Sequence, residues 1–370
     1  VSPGQDIVLS NHEVEANHHF CNKLWHMSRL IMLLFKSLSG PQQDEVKGGW
    51  EQIDEYESQL GYPERGFLSL LHKLISDTTD RLHKLQIGVG RDIFVFSYDI
   101  FAGLYLELSK FKFNENPGAD YLVNVMKVVM YGMDRLMRIL HPYMPHITEV
   151  IHQSLPIPRH FPLINDKWPS VSVSGEDGFK HDEDAVKRLL TLKNLLGHIR
   201  GLRAIHQVKN SKLFTQIQVE AATEQICADL RQEQQFIEKM CGIEKDDLRF
   251  HIPRHNLAKS QLDRNNSNSM EADRYKYNGT AGSVMSSVLD GHGGLRVSIP
   301  KDQLQNSEMQ KKRLSKQRQA LEKQIQVLER KLSSLDFTEK APPMKVEEAR
   351  EKHARKSAEI AEVVRALASL

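Results

Sequence analysis

Two sets of residues in this chain could do chemistry, and both would do it by holding another molecule rather than by making bonds. The first lies near the start. At 100° per residue, His18, Asn22, Arg29 and Lys36 fall in one narrow sector of a helix, with Trp25 at its edge. Two cations, an amide and an indole on one face match phosphates, base edges and a base plane. The same spacing also fits a solvated face with Trp25 packed on a neighbouring helix. The second set lies near the end. Lys311, Lys312, Arg313, Lys316, Arg318, Lys323, Arg330 and Lys331 crowd together against Glu322 and Glu329. A rod with that surplus attracts an anionic partner, nucleic acid first. A solvated spacer or an oligomerisation arm is the other reading.

No bond-making constellation stands beside these. The chain has no Gly-rich phosphate loop, no GxSxG and no HExxH. His18 and Cys21 lie one helical turn apart, but no further ligand follows at metal-site spacing. His141 and His146 flank a Pro142–Pro145 turn, where a helix-terminal role fits better than acid–base work. Cys21, Cys227 and Cys241 are far apart, which fits a reducing compartment and no disulfide framework.

The elements that must carry these residues are mostly helical. Phe20, Leu24, Met27, Ile31 and Leu34 form one buried stripe of a first helix that begins at a capping-box pattern, Ser10–Glu13, and stops at Gly40-Pro41. A polar loop is expected up to Pro63. Helices are expected over about 64–86, with Phe67, Leu70, Leu71 and Leu74 inward, then 91–112, 119–140 and a short one to Leu155. Short connections between long amphipathic helices imply an antiparallel bundle over 1–156. A Pro-rich stretch, 156–169, follows. Residues 157–300 read as a linker helix (184–206) plus a small α/β junction domain. It has strands at 213–219 and 295–299, a helix at 222–240, and a mobile insertion at 254–280.

The last part, 301–370, reads as an antiparallel coiled-coil hairpin. Leu314, Leu321, Ile325, Leu328, Leu332 and Leu335 form one heptad seam, and Val346, Ala349, His353, Lys356, Ile360, Val363, Leu367 and Leu370 a second. A Pro342-Pro343 break joins them. Arg318 and Lys356 occupy core-register positions and weaken the seam. The fold class expected is therefore mainly α: a helical bundle, a small α/β unit and a terminal hairpin.

With 370 residues, 26% charged and 40% hydrophobic, the chain has the composition of a water-soluble globular protein of two or three domains. Its net charge of +2 means that any basic surface arises from local clustering. No apolar run approaches a membrane span, so no membrane partner is expected. The sequence starts with Val1, which suggests processing or a fragment.

Several segments resemble the valyl-tRNA synthetase family. Ser2–Ile7 and Phe20-Cys21-Asn22-Lys23-Leu24-Trp25 resemble the segment that follows the catalytic domain. Tyr105–Lys110, Leu136–Glu149 and Ile199–Ala204 resemble motifs of the bundle and of the helix before the junction. The terminal hairpin resembles the arm characteristic of the valyl enzymes. The chain departs from the family's usual pattern at His26-Met27, Ile205, Lys209 and the 254–280 insertion.

The resemblance implies an anticodon-binding bundle, in which Asn22, Lys23, Trp25, Arg29 and Lys36 contact tRNA. Asn22 and Arg29 lead as base or backbone contacts. Trp25 is expected to pack, with stacking on a base as the alternative. It also implies an arm in which Lys311, Lys312, Arg313, Lys316, Lys323, Arg330 and Lys331 follow the tRNA backbone. The family attaches valine to its tRNA using ATP, through HIGH- and KMSKS-type motifs that are absent here. The expectations are therefore the tRNA-binding C-terminal portion of a valine–tRNA ligase, inactive alone and with no catalytic residue, metal or cofactor of its own. ATP and Mg2+ belong to the full-length enzyme. Valine tRNA and the N-terminal catalytic domain are the partners, in the cytosol or alternatively the mitochondrial matrix. A stand-alone synthetase-derived tRNA binder and a helical protein-interaction scaffold are the rival readings.

Overall fold

The computed structural model describes residues 11–115, 118–158, 162–169, 180–205, 208, 212–252, 284–289, 295–300, 307–333 and 343–369. Ser2–Ser10 and the 254–280 insertion lie outside the described residues. The chain divides into two compact units, Val1–Asn194 and Leu195–Leu370.

Among its described residues the first unit is built of helices. Helix α1 (Asn11–Ser37) buries Phe20, Leu24, Met27, Ile31 and Leu34, as its spacing predicts. The expected loop after it is instead largely helical, with α2 (Gly40–Gly49) and a single turn, α3 (Ile53–Tyr56). Gly40-Pro41 ends one helix and opens the next. The Ser39 backbone N–H donates to Gln42 Oε1 at 2.8 Å, and Pro41 sits in the first turn, where a missing N–H costs nothing. Helix α4 (Tyr62–His83) buries Phe67, Leu68, Leu71 and Ile75, whereas the expected Leu70 and Leu74 are half-buried. The inward stripe is thus turned by about one residue.

The third long helix is composite. Helix α5 (Gly90–Val95) widens into a ten-residue π-helical run (Phe96–Tyr105) and returns as α6 (Leu106–Glu115). Helix α7 (Ala119–Leu140) lies at the centre and is buried on almost every side. Its approach to α4 depends on Gly132, because a Cβ there would lie 2.8 Å from the Phe67 ring. That ring in turn stacks on Tyr105 at 4.2 Å and 9°. Helix α8 (Pro145–Ser154) follows the Pro142–Pro145 turn, where His141 Nδ1 meets Thr148 Oγ1 at 2.9 Å.

One buried carboxylate ties several of these pieces together. Asp134 on α7 accepts from Arg135 (2.7 Å), Arg138 (2.8 Å) and His152 of α8 (3.0 Å). Arg138 also reaches Asp166 at 2.7 Å and the Lys167 carbonyl at 3.1 Å. The Pro-rich stretch is therefore strapped to the bundle, with Leu163 buried and Trp168 Nε1 donating to Thr79 Oγ1 at 2.9 Å. Helix α9 (Glu183–Ile205) starts against α4. Asp182 caps its first turn through the Ala185 N–H (2.8 Å) and pairs with Arg65 (2.9 Å).

In the second unit, β1 (Ile217–Glu220), α10 (Glu224–Gln232), α11 (Gln234–Cys241), β2 (Leu248–His251), β3 (Val284–Leu289) and β4 (Leu295–Pro300) build a sheet of order β2-β1-β4-β3. The expected single helix over 222–240 is two, and β1 is shorter than expected. β2 is parallel to β1, and β4 is antiparallel to both β1 and β3. The predicted closing strand is therefore internal. Two further helices, α12 (Ser307–Ser333) and α13 (Pro343–Ser369), pack on each other. Leu314 and Leu321 meet Val363, flanked by Ile360 and Leu367. Arg318 does not enter this seam. Its side chain is 49% exposed and pairs with Glu322 at 2.7 Å, while Lys356 is half-buried and pairs with Glu359 at 2.9 Å.

Two predictions follow from the bundle core. Gly132→Ala should destabilise the protein by about 1–3 kcal/mol, since the Phe67 ring has little room to yield; urea unfolding measures it. His72, beside the Tyr131 hydroxyl at 3.0 Å, is lowered from 6.5 to about 4 by burial, with Arg135 and His181 adding to the effect. Its folded value lies below the unfolded one, so between those values the unfolded chain binds more protons. Stability is complete above pH 6.5 and falls by about 3 kcal/mol as the pH drops to 4. His72→Gln should flatten that part of the pH profile.

Candidate nucleic-acid interface

On α1 the alternation of buried and exposed residues leaves one stripe in solvent. Asn22, Arg29 and Lys36 are exposed, and Trp25 is 46% exposed. The expectation that Trp25 packs against a neighbouring helix is therefore corrected. The buried positions Leu24, Met27 and Ile31 turn their faces inward, which leaves the indole outside. Leu33, 58% exposed, completes the stripe at steps of four, four and three: Trp25, Arg29, Leu33, Lys36. Sequence reading passed over Leu33 because an apolar residue between apolar neighbours looks like core. The i+4 step from Arg29 was the available signal.

Asn22 Nδ2 lies 3.5 Å from His18 Nδ1, so the amide is lightly held and open to other partners. Arg29 and Lys36 form no ion pair with any described residue. Lys23 differs from the others. It is half-buried on the flank of the stripe, with its ammonium 5.4 Å from the centre of the Tyr98 ring. The combination offers unneutralised cations, a free ring face and an amide along about 20 Å of helix, at 1.5 Å per residue. Such a surface can hold a single-stranded loop by phosphate contact and stacking. It holds no acid–base pair that could move a proton.

The second set lies on α12, which carries eight Lys and Arg against three Glu. Lys316, Lys323 and Arg330 are exposed. They recur every seven residues, two places after Leu314, Leu321 and Leu328, which is the outermost position of the repeat. The result is a straight row with steps of about 10 Å. Lys311, Lys312, Arg313 and Lys331 belong to the same helix, but their side chains lie outside the described residues.

Among the described residues no group of three or more His, Cys, Asp or Glu comes together to hold a metal ion. Burial pushes the Cys241 thiol up to about 12 and that of Cys227 above its usual range, which leaves neither a ready nucleophile. No helix among the described residues is long and apolar enough to cross a membrane.

In comparison with known proteins α12 falls within one matched region, whereas α1 precedes the other. Residues 64–220 match the anticodon-binding domain of tRNA ligase, and residues 307–370 match the valyl tRNA synthetase tRNA binding arm. Valine–tRNA ligase of Anoxybacillus flavithermus is 29% identical over 353 residues, covering 95% of this chain and 35% of that protein. The Bacillus cereus enzyme is 29% identical over 243 residues, covering 65% and 25%. Valine–tRNA ligase, chloroplastic/mitochondrial 2, of Arabidopsis thaliana is 28% identical over 347 residues, covering 92% and 32%. The chain thus spans about a quarter to a third of the length of these relatives. With two domain matches in order and relatives aligned along nearly its whole length, the chain is similar to the C-terminal part of valyl-tRNA synthetases.

Proposed function

We propose that this chain is the tRNA-binding portion of a valine–tRNA ligase. In this reading the whole enzyme attaches valine to its tRNA with ATP and Mg2+, using a catalytic domain that is this chain's partner. The chain works as an anticodon-binding bundle (1–156), a junction (157–300) and a tRNA-contacting arm (301–370). The cytosol is the compartment proposed, and the mitochondrial matrix the alternative.

The observation that carries the proposal is the exposed stripe of α1. Lys and Arg suit any solvated face, but an indole left in water beside them gains nothing from that exposure. Asn22 and Arg29 are the candidates for base or backbone contact, and Trp25 offers a ring on which an unstacked anticodon base can lie. Such stacking is worth about 1–3 kcal/mol per base. The arm is proposed as an antiparallel coiled-coil hairpin. Its support is that Leu314 and Leu321, in the first half and at the middle of α12, pack with Val363 and Leu367, late in α13. Its outer row, Lys316, Lys323 and Arg330, has the straightness needed to track a phosphate backbone. Contacts of that kind add affinity and fix register without reading sequence.

Two experiments separate the surfaces. Binding of a valine tRNA transcript should fall steeply with salt. The triple variant Lys316→Glu, Lys323→Glu, Arg330→Glu should weaken all tRNAs alike and flatten the log–log slope by about 2–3. Weak, salt-insensitive binding without preference among tRNAs would favour a protein-interaction scaffold instead. Arg29→Ala should act differently and narrow the gap between cognate and anticodon-altered tRNA. Unchanged preference in that variant would remove the α1 face from recognition.

A further inference from the structure

The ten-residue π-helical run between α5 and α6 sends Phe101, Leu104 and Tyr105 into the bundle core and turns Tyr98 toward α1. It lies directly behind the candidate face of α1. Phe94 and Tyr98 meet at 5.1 Å with their planes tilted by 32°, and both meet Phe20 of α1, at 4.6 and 6.1 Å. The winding is tight at one point, since a Cβ on Gly103 would lie 2.8 Å from the Tyr98 carbonyl. The residue after Tyr98 is also fixed, as Asp99 reaches Lys193 at 3.4 Å. Runs of i→i+5 winding are uncommon and frequent at functional sites. Here the run delivers one ring, Tyr98, under one ammonium, Lys23.

The chemistry of that contact is informative. Several lysines of the first unit are held by carboxylates, Lys47 by Asp44, Lys110 by Glu107 and Lys127 by Glu45, even where a ring is also near, as for Lys47 and Lys127. A carboxylate cancels the charge it positions. An aromatic face holds a cation through its quadrupole and leaves the full charge in place. Lys23 forms no ion pair with any described residue, so its ammonium is oriented yet still available to an anion.

We propose that Tyr98 is a positioning residue: through its ring, set by the π-helical run, it holds Lys23 at the flank of the α1 stripe, ready for a tRNA phosphate. This rests on the reading of α1 as a tRNA-binding face.

A double-mutant cycle on the full 370-residue chain tests it, with a valine tRNA transcript as probe. Lys23→Ala should weaken binding about fivefold and flatten the salt slope by about 0.7–0.9, one phosphate contact. Tyr98→Leu should weaken binding about threefold. Added to Lys23→Ala, it should cost nothing more. Tyr98→Phe should bind as the unaltered chain does. If Tyr98→Leu fails to fold, Tyr98→pentafluorophenylalanine keeps the ring and removes its negative face, and it should reproduce the loss. Multiplying losses in the double variant, or no loss in either ring variant, overturns the positioning role. No loss in Lys23→Ala would instead overturn Lys23 as a contact, and the proposal with it.

Discussion

The first unit hangs on a charge that water does not reach. The Asp134 carboxylate is 1% exposed, and a lone carboxylate there would be intolerable. Burial pushes its pKa up. The hydrogen bond from His152 and the charges of Arg135 and Arg138 more than reverse this and hold it below the usual carboxylate range. Two of these partners come with a structural element attached. His152 brings α8, and Arg138 brings the 163–168 strap through Asp166. The ions compensate one another only if these pieces are correctly docked. Buried clusters of this kind add little net stability, but losing one member costs about 3–5 kcal/mol, so partial assembly is penalised. The α1 stripe is displayed by a bundle whose central helix is pinned in this way.

The two candidate surfaces divide the physics of RNA binding between them. The bundle face mixes a ring, an amide and a few cations, and such groups can differ in fit from base to base. The α12 row repeats one kind of group at one interval and carries no information. A net charge of +2 over the whole chain conceals this arrangement, because carboxylates elsewhere offset the eight cations of α12. Local concentration of charge, not its sum, sets the field a polyanion meets.

Much of this was legible in the sequence. Periodicity found α1, α7, α8 and α9 and placed Phe20, Leu24, Met27, Ile31 and Leu34 inside. It failed where punctuation is ambiguous. Gly40-Pro41 serves both as a stop and as a start, and only the Ser39–Gln42 contact decides between them. Strands β2 and β3 were missed because β2 has only Leu248 and Phe250 to alternate and β3 sets Ser286-Ser287 inside its apolar run, whereas the alternation at β1 extends back to Leu213. Trp25 was misjudged for a different reason. An indole is expected inside, and only its angular offset from Leu24 and Met27, seen in three dimensions, leaves it out. The link between Tyr98 and Lys23 was beyond reach, since two residues 75 positions apart on different helices share no local pattern.

The outer row of α12 has a consequence beyond binding. Lys316, Lys323 and Arg330 are exposed, while Leu314, Leu321 and Val363, with Ile360 and Leu367, pack the helix pair. In the proposed reading, selection can therefore retune the arm's hold on tRNA, residue by residue, at little cost to the helix pair beneath. The same freedom is denied at Gly132, where even one added methyl meets an aromatic ring. Within one chain, affinity is left evolvable and architecture is not.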